Sequence, residues 1–152
     1  MPISDNIYMS EAIKEAVKAF DADEVPVGAV IVHNGRVIAR AHNQIKLLKD
    51  PTAHAEMIAI TQAASHLSSE RLLETTLYST VEPCAMCAGA MVLGRIKRLV
   101  YGAEDPKTGA SGSVMNVVNN RKLNHRISVV KGVMEKESSA LLKEFFALKR
   151  KK

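Results

Sequence analysis

Two short apolar runs on either side of Asn34-Gly35 constrain the fold more than any other feature of this chain. Both central positions of a two-residue hairpin turn need a positive φ angle, and Asn-Gly is among the pairs that best tolerate it. The runs 28–33 and 36–40 are therefore predicted to be paired antiparallel strands. Segments with helical periodicity precede and follow them, so the hairpin is expected to belong to a structure with both helices and strands.

The remaining elements are predicted from periodicity and from capping residues. A first helix is expected from Ser4 or Asp5 to about Phe20, and a second from Pro51, with Asp50 as its cap, to about His66. The chain then predicts a strand at 77–81, a helix from 82–83 to 93, a strand at 99–101, a Gly-rich loop at 105–112, a strand at 127–130 and a helix from about 135. This order is typical of an α/β protein in which helices cover both faces of a sheet, a three-layer α/β/α sandwich.

The composition is that of a folded protein. Of 152 residues, 47% are hydrophobic and 24% are charged, which disfavours disordered, collagen-like and coiled-coil chains. The length suits a single domain over residues 1–152. The sequence has no uncharged apolar run near the ~20 residues that a membrane-spanning helix needs, and its first residues lack the pattern of a secretion signal. We therefore expect a cytoplasmic protein without a membrane segment.

Charge is divided unevenly along the chain. Residues 1–82 carry 7 Lys and Arg against 11 Asp and Glu, a net charge of −4, whereas residues 83–152 carry 14 against 5, a net charge of +9. A basic half is a mild indication of an acidic partner such as a nucleic acid. A solvated basic surface explains it equally well, so the charge alone does not identify the partner.

Both cysteines lie in one motif, Pro83-Cys84-Ala85-Met86-Cys87, at the predicted start of a helix. A Cys-x-x-Cys pair is compatible with a redox-active dithiol, with half of a four-cysteine structural zinc site, or with part of a catalytic zinc site. The four-cysteine site is excluded because there is no other cysteine. The helix dipole favours thiolates at a helix N-terminus. Two cysteines and one histidine would leave a zinc ion one open position, which is typical of a catalytic site.

The histidine has to be chosen from five. Four have local explanations in a turn, at a strand end, at a helix end and in a polar loop: His33, His42, His66 and His125. His54 differs because Glu56 follows it at a predicted helix start, although Glu56 alone is equally a first-turn acid favoured by the helix dipole. His-x-Glu followed about 30 residues later by Pro-Cys-x-x-Cys is the zinc-deaminase signature.

The residue types in this signature suit hydrolytic deamination. Zinc lowers the pKa of bound water from ~15.7 to ~7 and so supplies hydroxide at neutral pH. A carboxylate that is not a metal ligand can take up the proton and deliver it to a ring nitrogen and to the leaving amine. Glu56 is placed for such a shuttle.

Nearly the whole chain resembles the tRNA-specific adenosine deaminases of the TadA type, within the cytidine and deoxycytidylate deaminase-like superfamily. The resemblance is carried by the motifs EVPVGA at 24–29, DPTAHAE at 50–56 and EPCAMCAGAM at 82–91, and more narrowly by YGA at 101–103, DPKTGASGS at 105–113, LNHR at 123–126 and LLKEFF at 141–146. It implies a cytidine deaminase-like fold with a mixed sheet of about five strands. It also implies conversion of adenosine to inosine at the wobble position of a tRNA anticodon, with an arginine tRNA indicated.

The resemblance further implies the residues of the site. His54, Cys84 and Cys87 would bind one Zn²⁺ per subunit, and Glu56 would be the catalytic proton shuttle. Asn43 matches a position that contacts the target nucleoside, although a residue that ends a strand explains it as well.

Other residues are expected to contact the anticodon stem-loop. Asp105 matches a position that contacts the nucleotide 5′ of the target, although it is equally explained as a loop acid before a proline. Lys107, Lys149 and Arg150 are predicted phosphate contacts, together with the two terminal lysines. Phe145 and Phe146 point ~100° apart on one helix, so one is expected in the core and the other free for base contact.

The quaternary structure and two alternative functions stay open in the sequence. The family is homodimeric, and the apolar residues Met86, Met91, Val92 and Leu93 suit either an interface or the core. A deaminase of a free base or nucleoside, such as guanine or cytosine, would use the same metal site. A non-enzymatic RNA-binding domain stabilised by zinc would have no need of Glu56.

Overall fold

The computed structural model describes residues 3–151, which form one five-stranded sheet with helices on both faces. The elements in chain order are α1 (Ile3–Asp21), β1 (Gly28–His33), β2 (Arg36–His42), α2 (Ile45–Leu48), α3 (Ala55–Leu67), β3 (Thr75–Val81), α4 (Ala85–Leu93), β4 (Arg98–Ala103), β5 (Ser128–Lys131) and α5 (Glu135–Arg150). No helix within residues 3–151 has both the length and the apolar character needed to cross a bilayer.

The sheet is mixed, with strand order β2-β1-β3-β4-β5. β1 is antiparallel to both β2 and β3, whereas β3, β4 and β5 run parallel. The turn between β1 and β2 has φ angles of 51° at Asn34 and 73° at Gly35, which confirms the predicted hairpin. The carboxyl ends of β2, β3 and β4 lie at the same sheet edge as the start of β1, and the functional site lies at this edge.

Helices bury both faces of the sheet, which confirms the predicted three-layer α/β/α fold. Helices α3 and α4 pack around Ile31, Leu77 and Leu99 on one face, and α1 packs around Val30 and Val100 on the other. Neighbouring residues of β1 belong to different clusters because side chains alternate across a strand.

Two helix starts differ from the prediction, and one short helix was not predicted. Asp50 does not cap a helix, because its Oδ1 accepts hydrogen bonds from the backbone N–H and the hydroxyl of Thr52, at 2.8 and 2.7 Å, and so closes a turn. Helix α3 instead begins at Ala55, whose N–H donates to Oδ1 of Asn43 at 2.8 Å. Helix α4 begins at Ala85, two residues later than predicted, and the short helix α2 was not predicted.

A buried ion pair attaches α1 to the sheet. Asp5 is 1% exposed and accepts hydrogen bonds from two guanidinium nitrogens of Arg98, at 2.8 and 2.6 Å, and from the Tyr78 hydroxyl at 2.7 Å. The Arg98 hydrogen bonds hold the pKa of Asp5 below its ordinary value despite burial. These three residues join the start of α1 to β3 and β4.

Candidate metal centre and substrate pocket

His54, Cys84 and Cys87 meet where two helices begin. His54 immediately precedes α3, Cys84 immediately precedes α4, and Cys87 lies in the first turn of α4. The positive ends of the two helix dipoles therefore face the same cluster, which favours thiolate ligands there.

The separations among the three donor atoms test whether a metal ion fits. Nδ1 of His54 lies 3.7 Å from Sγ of Cys84 and 3.6 Å from Sγ of Cys87, and the two sulfurs are 3.8 Å apart. Zinc bonds of about 2.3 Å to sulfur and about 2.05 Å to nitrogen, at tetrahedral angles, require ~3.8 Å between sulfurs and ~3.6 Å between sulfur and nitrogen. The cluster can therefore hold a tetrahedral metal ion with one corner left for a non-protein ligand.

The charge state of the cluster suits a cation. Hydrogen bonds with Cys87 and His54 lower the pKa of Cys84 to about 3. The hydrogen bond between His54 and Cys84 raises the pKa of His54. The hydrogen bond between Cys87 and Cys84, together with burial, raises the pKa of Cys87. One thiolate is thus favoured by the protein alone, and a divalent cation would supply the positive charge that a second thiolate needs.

Glu56 lies beside the cluster in the first turn of α3. It is 4% exposed, and its Oε1 has no hydrogen-bond partner within residues 3–151. Burial raises the pKa of Glu56 to about 7. Two residues at i and i+2 of a helix would face ~200° apart, but His54 is extended, with φ −72° and ψ 149°, so both side chains reach the same cavity.

The cavity next to the cluster has a volume of about 210 Å³. Its apolar walls come from the segment before β1, the end of β3 and α2, and its polar groups come from both metal-ligand segments and from the loop after β4. The lining residues are Val25, Val27, Asn43, Ile45, His54, Glu56, Val81, Glu82, Cys84, Asp105 and Thr108. Pockets for drug-sized ligands measure ~300–1,000 Å³, so this smaller cavity suits a single base or nucleoside.

Asn43 and Asp105 line this cavity, and both also hold the backbone. Asn43 donates from Nδ2 to the Val25 carbonyl at 3.1 Å while its Oδ1 accepts from Ala55. The Asp105 carboxylate accepts from the N–H groups of Lys107 and Thr108, at 3.0 and 3.1 Å, and from the Thr108 hydroxyl at 2.7 Å. Each side chain still has hydrogen-bonding positions that a ligand could use. Contacts of these two residues with the substrate stay predictions.

The two phenylalanines of α5 have the divided roles that their spacing predicts. Phe145 is 5% exposed and packs edge to face on Phe20, with ring centroids 5.9 Å apart. Phe146 is 44% exposed and lines an apolar groove of about 370 Å³ that shares Asp105 and Thr108 with the cavity beside the cluster. Phe146 is therefore the exposed ring of the pair, and its contact with a base stays a prediction.

The predicted phosphate contacts differ in their surroundings. Nζ of Lys149 lies 2.5 Å from the carboxylate of Asp23 and 5.5 Å from the centre of the Phe145 ring. Lys107 and Arg150 are exposed and form no ion pair with another described residue. The expected contact at Lys152 lies outside the described residues.

Glu82 is a buried site residue that the sequence prediction missed. It is 3% exposed and accepts hydrogen bonds from the N–H groups of Asp105, Ser111 and Ser113 and from the Ser113 hydroxyl. Burial alone would raise the pKa of Glu82, but these donors hold it below its ordinary value. The only signal in the sequence is an acid at the end of an apolar strand.

Comparison with known proteins agrees with this geometry. The MafB19-like deaminase family matches residues 3–150. The tRNA-specific adenosine deaminase of Bacillus subtilis is 51% identical over 148 residues, which are 97% of this chain and 92% of that protein. A structure solved in a study of A-to-I editing by tRNA:A34 deaminases at the wobble position superposes with a TM-score of 0.87 at 46% identity, covering 90% of this chain and 99% of that one.

The family model places this chain among the deaminases, and the fold does not narrow that class to one substrate. A guanine deaminase from Nitrosomonas europaea has the same fold, with a TM-score of 0.81 over 93% of this chain and 84% of that one, at 24% identity. The relatives of high sequence identity indicate a narrower class than the fold does, and they support the predicted resemblance. This chain belongs to the tRNA-specific adenosine deaminase family.

Proposed function

We propose that the protein hydrolyses adenosine to inosine at the wobble position of a tRNA anticodon, with Zn²⁺ as its cofactor. The main support is that the donor atoms of His54, Cys84 and Cys87 have the separations of zinc ligands. Beside them lies a buried carboxylate oxygen of Glu56 that has no hydrogen-bond partner among the described residues. Family membership supports the tRNA substrate, and an arginine tRNA with a wobble adenosine is the proposed one. Residues 1–152 would act as a single deaminase domain in the cytoplasm.

Each protein group has a defined task in this reaction. Zinc, when bound, supplies hydroxide at neutral pH for addition at C6 of the adenine. Glu56 takes up a proton of the attacking water on its free oxygen and delivers it to the ring nitrogen. It then takes the remaining proton of the added hydroxyl group and delivers it to the amino group, which leaves as ammonia while the C6 carbonyl of inosine forms. Its burial restricts competing water, and its position next to the cluster keeps proton transfer short.

The surroundings of the cavity support a single-stranded RNA substrate. Asn43 offers an amide next to the cluster, and the groove beside the cavity offers the exposed ring of Phe146 for a neighbouring base. Exposed Lys107 and Arg150 suit phosphate groups, whereas Lys149 would have to exchange Asp23 for a phosphate. Bases of an anticodon loop are already unpaired, so extruding one costs less than in a duplex.

We also propose that the protein is a homodimer. Helix α4, with the sequence AMCAGAMVL, contains no charged residue, and Leu93 at its end is 83% exposed. Met91 and Val92 are buried in the core, so only Met86 and Leu93 of the four apolar residues considered are left for an interface. The molar mass in solution, measured by light scattering, tests the proposal.

Metal removal tests the cofactor. Purified protein is expected to contain about one zinc ion per chain, since there is one cluster of three donors within the described residues. Dialysis against a chelator should abolish inosine formation on an anticodon stem-loop, and added Zn²⁺ should restore it. Full activity in protein shown to be free of metal would contradict the proposal.

A further inference from the structure

One wall of the substrate cavity is formed by a loop without regular secondary structure. Residues 105–113 follow β4, and Asp105 and Thr108 in this loop line the cavity beside His54 and Cys84. The position of these side chains therefore depends on what holds the loop.

A single buried carboxylate accepts four hydrogen bonds from this loop. Oε1 of Glu82 accepts from the Asp105 N–H at 3.0 Å and from the Ser113 hydroxyl, and Oε2 accepts from the N–H groups of Ser111 and Ser113 at 2.9 and 3.1 Å. The first and last residues of the loop are thus both bound to one side chain, which acts as a backbone partner would in a sheet.

The loop is shaped to let that carboxylate in. A Cβ atom at Gly109 would lie 2.4 Å from both Cδ and Oε1 of Glu82, a distance that no side chain can occupy. The N–H of Ala110 donates to the Pro83 carbonyl at 2.9 Å, and Gly109 pairs with Cys84 across an isolated β-bridge. The segment 82–84 therefore holds the loop at one end and supplies a metal-ligand candidate at the other.

We infer that Glu82 is a positioning residue that sets the distance between the loop wall, with Asp105 and Thr108, and the His54, Cys84 and Cys87 cluster. This inference rests on the proposed function for its consequence: by fixing the wall, Glu82 determines how tightly the target nucleotide and its 5′ neighbour are held. All four of its hydrogen bonds go to the loop, and none of them involves a donor atom of the cluster.

The substitution Glu82→Gln has a specific consequence. An amide group placed at the Oε2 position would face two N–H donors and could bond to neither. Placed at the Oε1 position, it can donate to the Ser113 hydroxyl, but the Asp105 N–H then loses its acceptor. The less costly arrangement therefore releases the loop at Asp105, the end that borders the cavity.

The test compares E82Q with the wild type in zinc content, hydrogen exchange and steady-state kinetics on a wobble-adenosine stem-loop. E82Q is expected to bind zinc normally. Because one charge-assisted hydrogen bond is lost, the amide hydrogens of residues 105–113 should exchange about tenfold faster. KM should rise about tenfold, with kcat changed less than threefold. The control E74Q makes the same charge change at an exposed ion pair with Lys97 and should leave all three unchanged.

A double variant separates positioning from general destabilisation. If Glu82 acts through the loop, adding E82Q to Asp105→Ala should raise KM by less than about twofold further, because coupled residues do not act independently. Where E82Q does not fold, Glu82→Asp replaces it, since the shorter carboxylate keeps its charge while displacing the loop, and the same KM rise is expected.

Several results would overturn the inference. It would be contradicted if hydrogen exchange in residues 105–113 of E82Q were unchanged, or if kcat fell at constant KM. It would also be contradicted if E82Q lost zinc, or if the two substitutions had fully multiplicative effects on KM in the double variant. Wild-type protein that forms no inosine would contradict the proposed function instead, and the exchange of the loop would still decide whether Glu82 holds it.

Discussion

Glu56 is the residue on which the proposed chemistry depends most. It offers a buried carboxylate oxygen with no partner in residues 3–151 and is not one of the three donor atoms of the cluster. Glu56→Gln preserves shape but removes the site that carries the proton, so kcat for inosine formation should fall by about 10³-fold. Zinc content and stem-loop affinity should stay within about twofold of the wild type. Metal analysis, fluorescence anisotropy and single-turnover assays measure the three quantities.

A matched control keeps the charge change constant. Glu74→Gln removes an acid of the same type from an exposed position and should have wild-type kinetics. If E56Q formed inosine at a rate near that of the wild type, Glu56 would not be the proton shuttle, and the proposed mechanism would be contradicted. Absence of inosine from the wild type as well would instead favour the alternative of a non-enzymatic RNA-binding domain.

The sequence predicted the cluster of candidate ligands but not the residue that holds the loop. His54, Cys84 and Cys87 were predictable because their motifs stand at helix starts, where thiolates are favoured and where short-range patterns apply. Glu82 was not, because its partners are backbone N–H groups 23 to 31 residues further along the chain. Such a contact depends on the parallel pairing of β3 and β4, which no local pattern encodes.

At the scale of elements, the prediction succeeded where structure is local. The hairpin depends on two adjacent residues, Asn34 and Gly35, and its strands were placed within two residues of their observed ends. The predicted start of α3 was wrong because the first N–H of the helix, that of Ala55, donates to Asn43, twelve residues earlier, while Asp50 closes its own turn. A side chain next to a helix start can bond to its own turn instead, and the helix N–H group is then bound by a residue that is distant in the sequence.

The attachment of α1 gives a prediction about stability and pH. Asp5→Asn removes the charge that two nitrogens of Arg98 contact, so the free energy of unfolding at pH 7 should fall by ~2–4 kcal/mol. The folded-state pKa of Asp5 is lowered, so its contribution is complete above its unfolded pKa of about 3.9 and is lost as the pH falls through the folded value. Urea unfolding of D5N and of the wild type between pH 7 and pH 2 measures the free energy of unfolding of each.

The difference between D5N and the wild type should therefore shrink below about pH 4. A difference that stayed constant down to pH 2, or no destabilisation at pH 7, would show that the ion pair does not hold α1. Glu11→Gln is a suitable comparison, since it changes two more exposed ion pairs of α1, with Lys14 and with Arg40, and should lower the free energy of unfolding by less than about 1 kcal/mol.

At the scale of the whole molecule, folding redistributes the charge asymmetry seen along the chain. Basic residues of the second half pair with acids of the first half in three ion pairs: Lys97 with Glu74, Arg98 with Asp5, and Lys149 with Asp23. The positive charge that is available for the proposed phosphate contacts therefore lies on exposed residues without an ion pair among the described ones, including Lys107, Arg150 and Lys151.

The fold is shared with a guanine deaminase, so the substrate has to be selected by the surroundings of the cavity rather than by the architecture. The groove that carries Phe146 shares Asp105 and Thr108 with the cavity and is the proposed site for nucleotides next to the target. Free bases would leave this groove without a ligand and would lose the binding energy that it supplies.

One comparison of substrates tests the central claim most directly. Zinc-loaded protein is incubated with an anticodon stem-loop that has adenosine at the wobble position, with the same stem-loop carrying guanosine there, and with free adenosine, guanine and cytidine. Inosine is expected from the first substrate, with a kcat/KM at least about 10³-fold above that of any free base or nucleoside. Turnover of guanine or cytidine at a rate comparable to that of the stem-loop would contradict it.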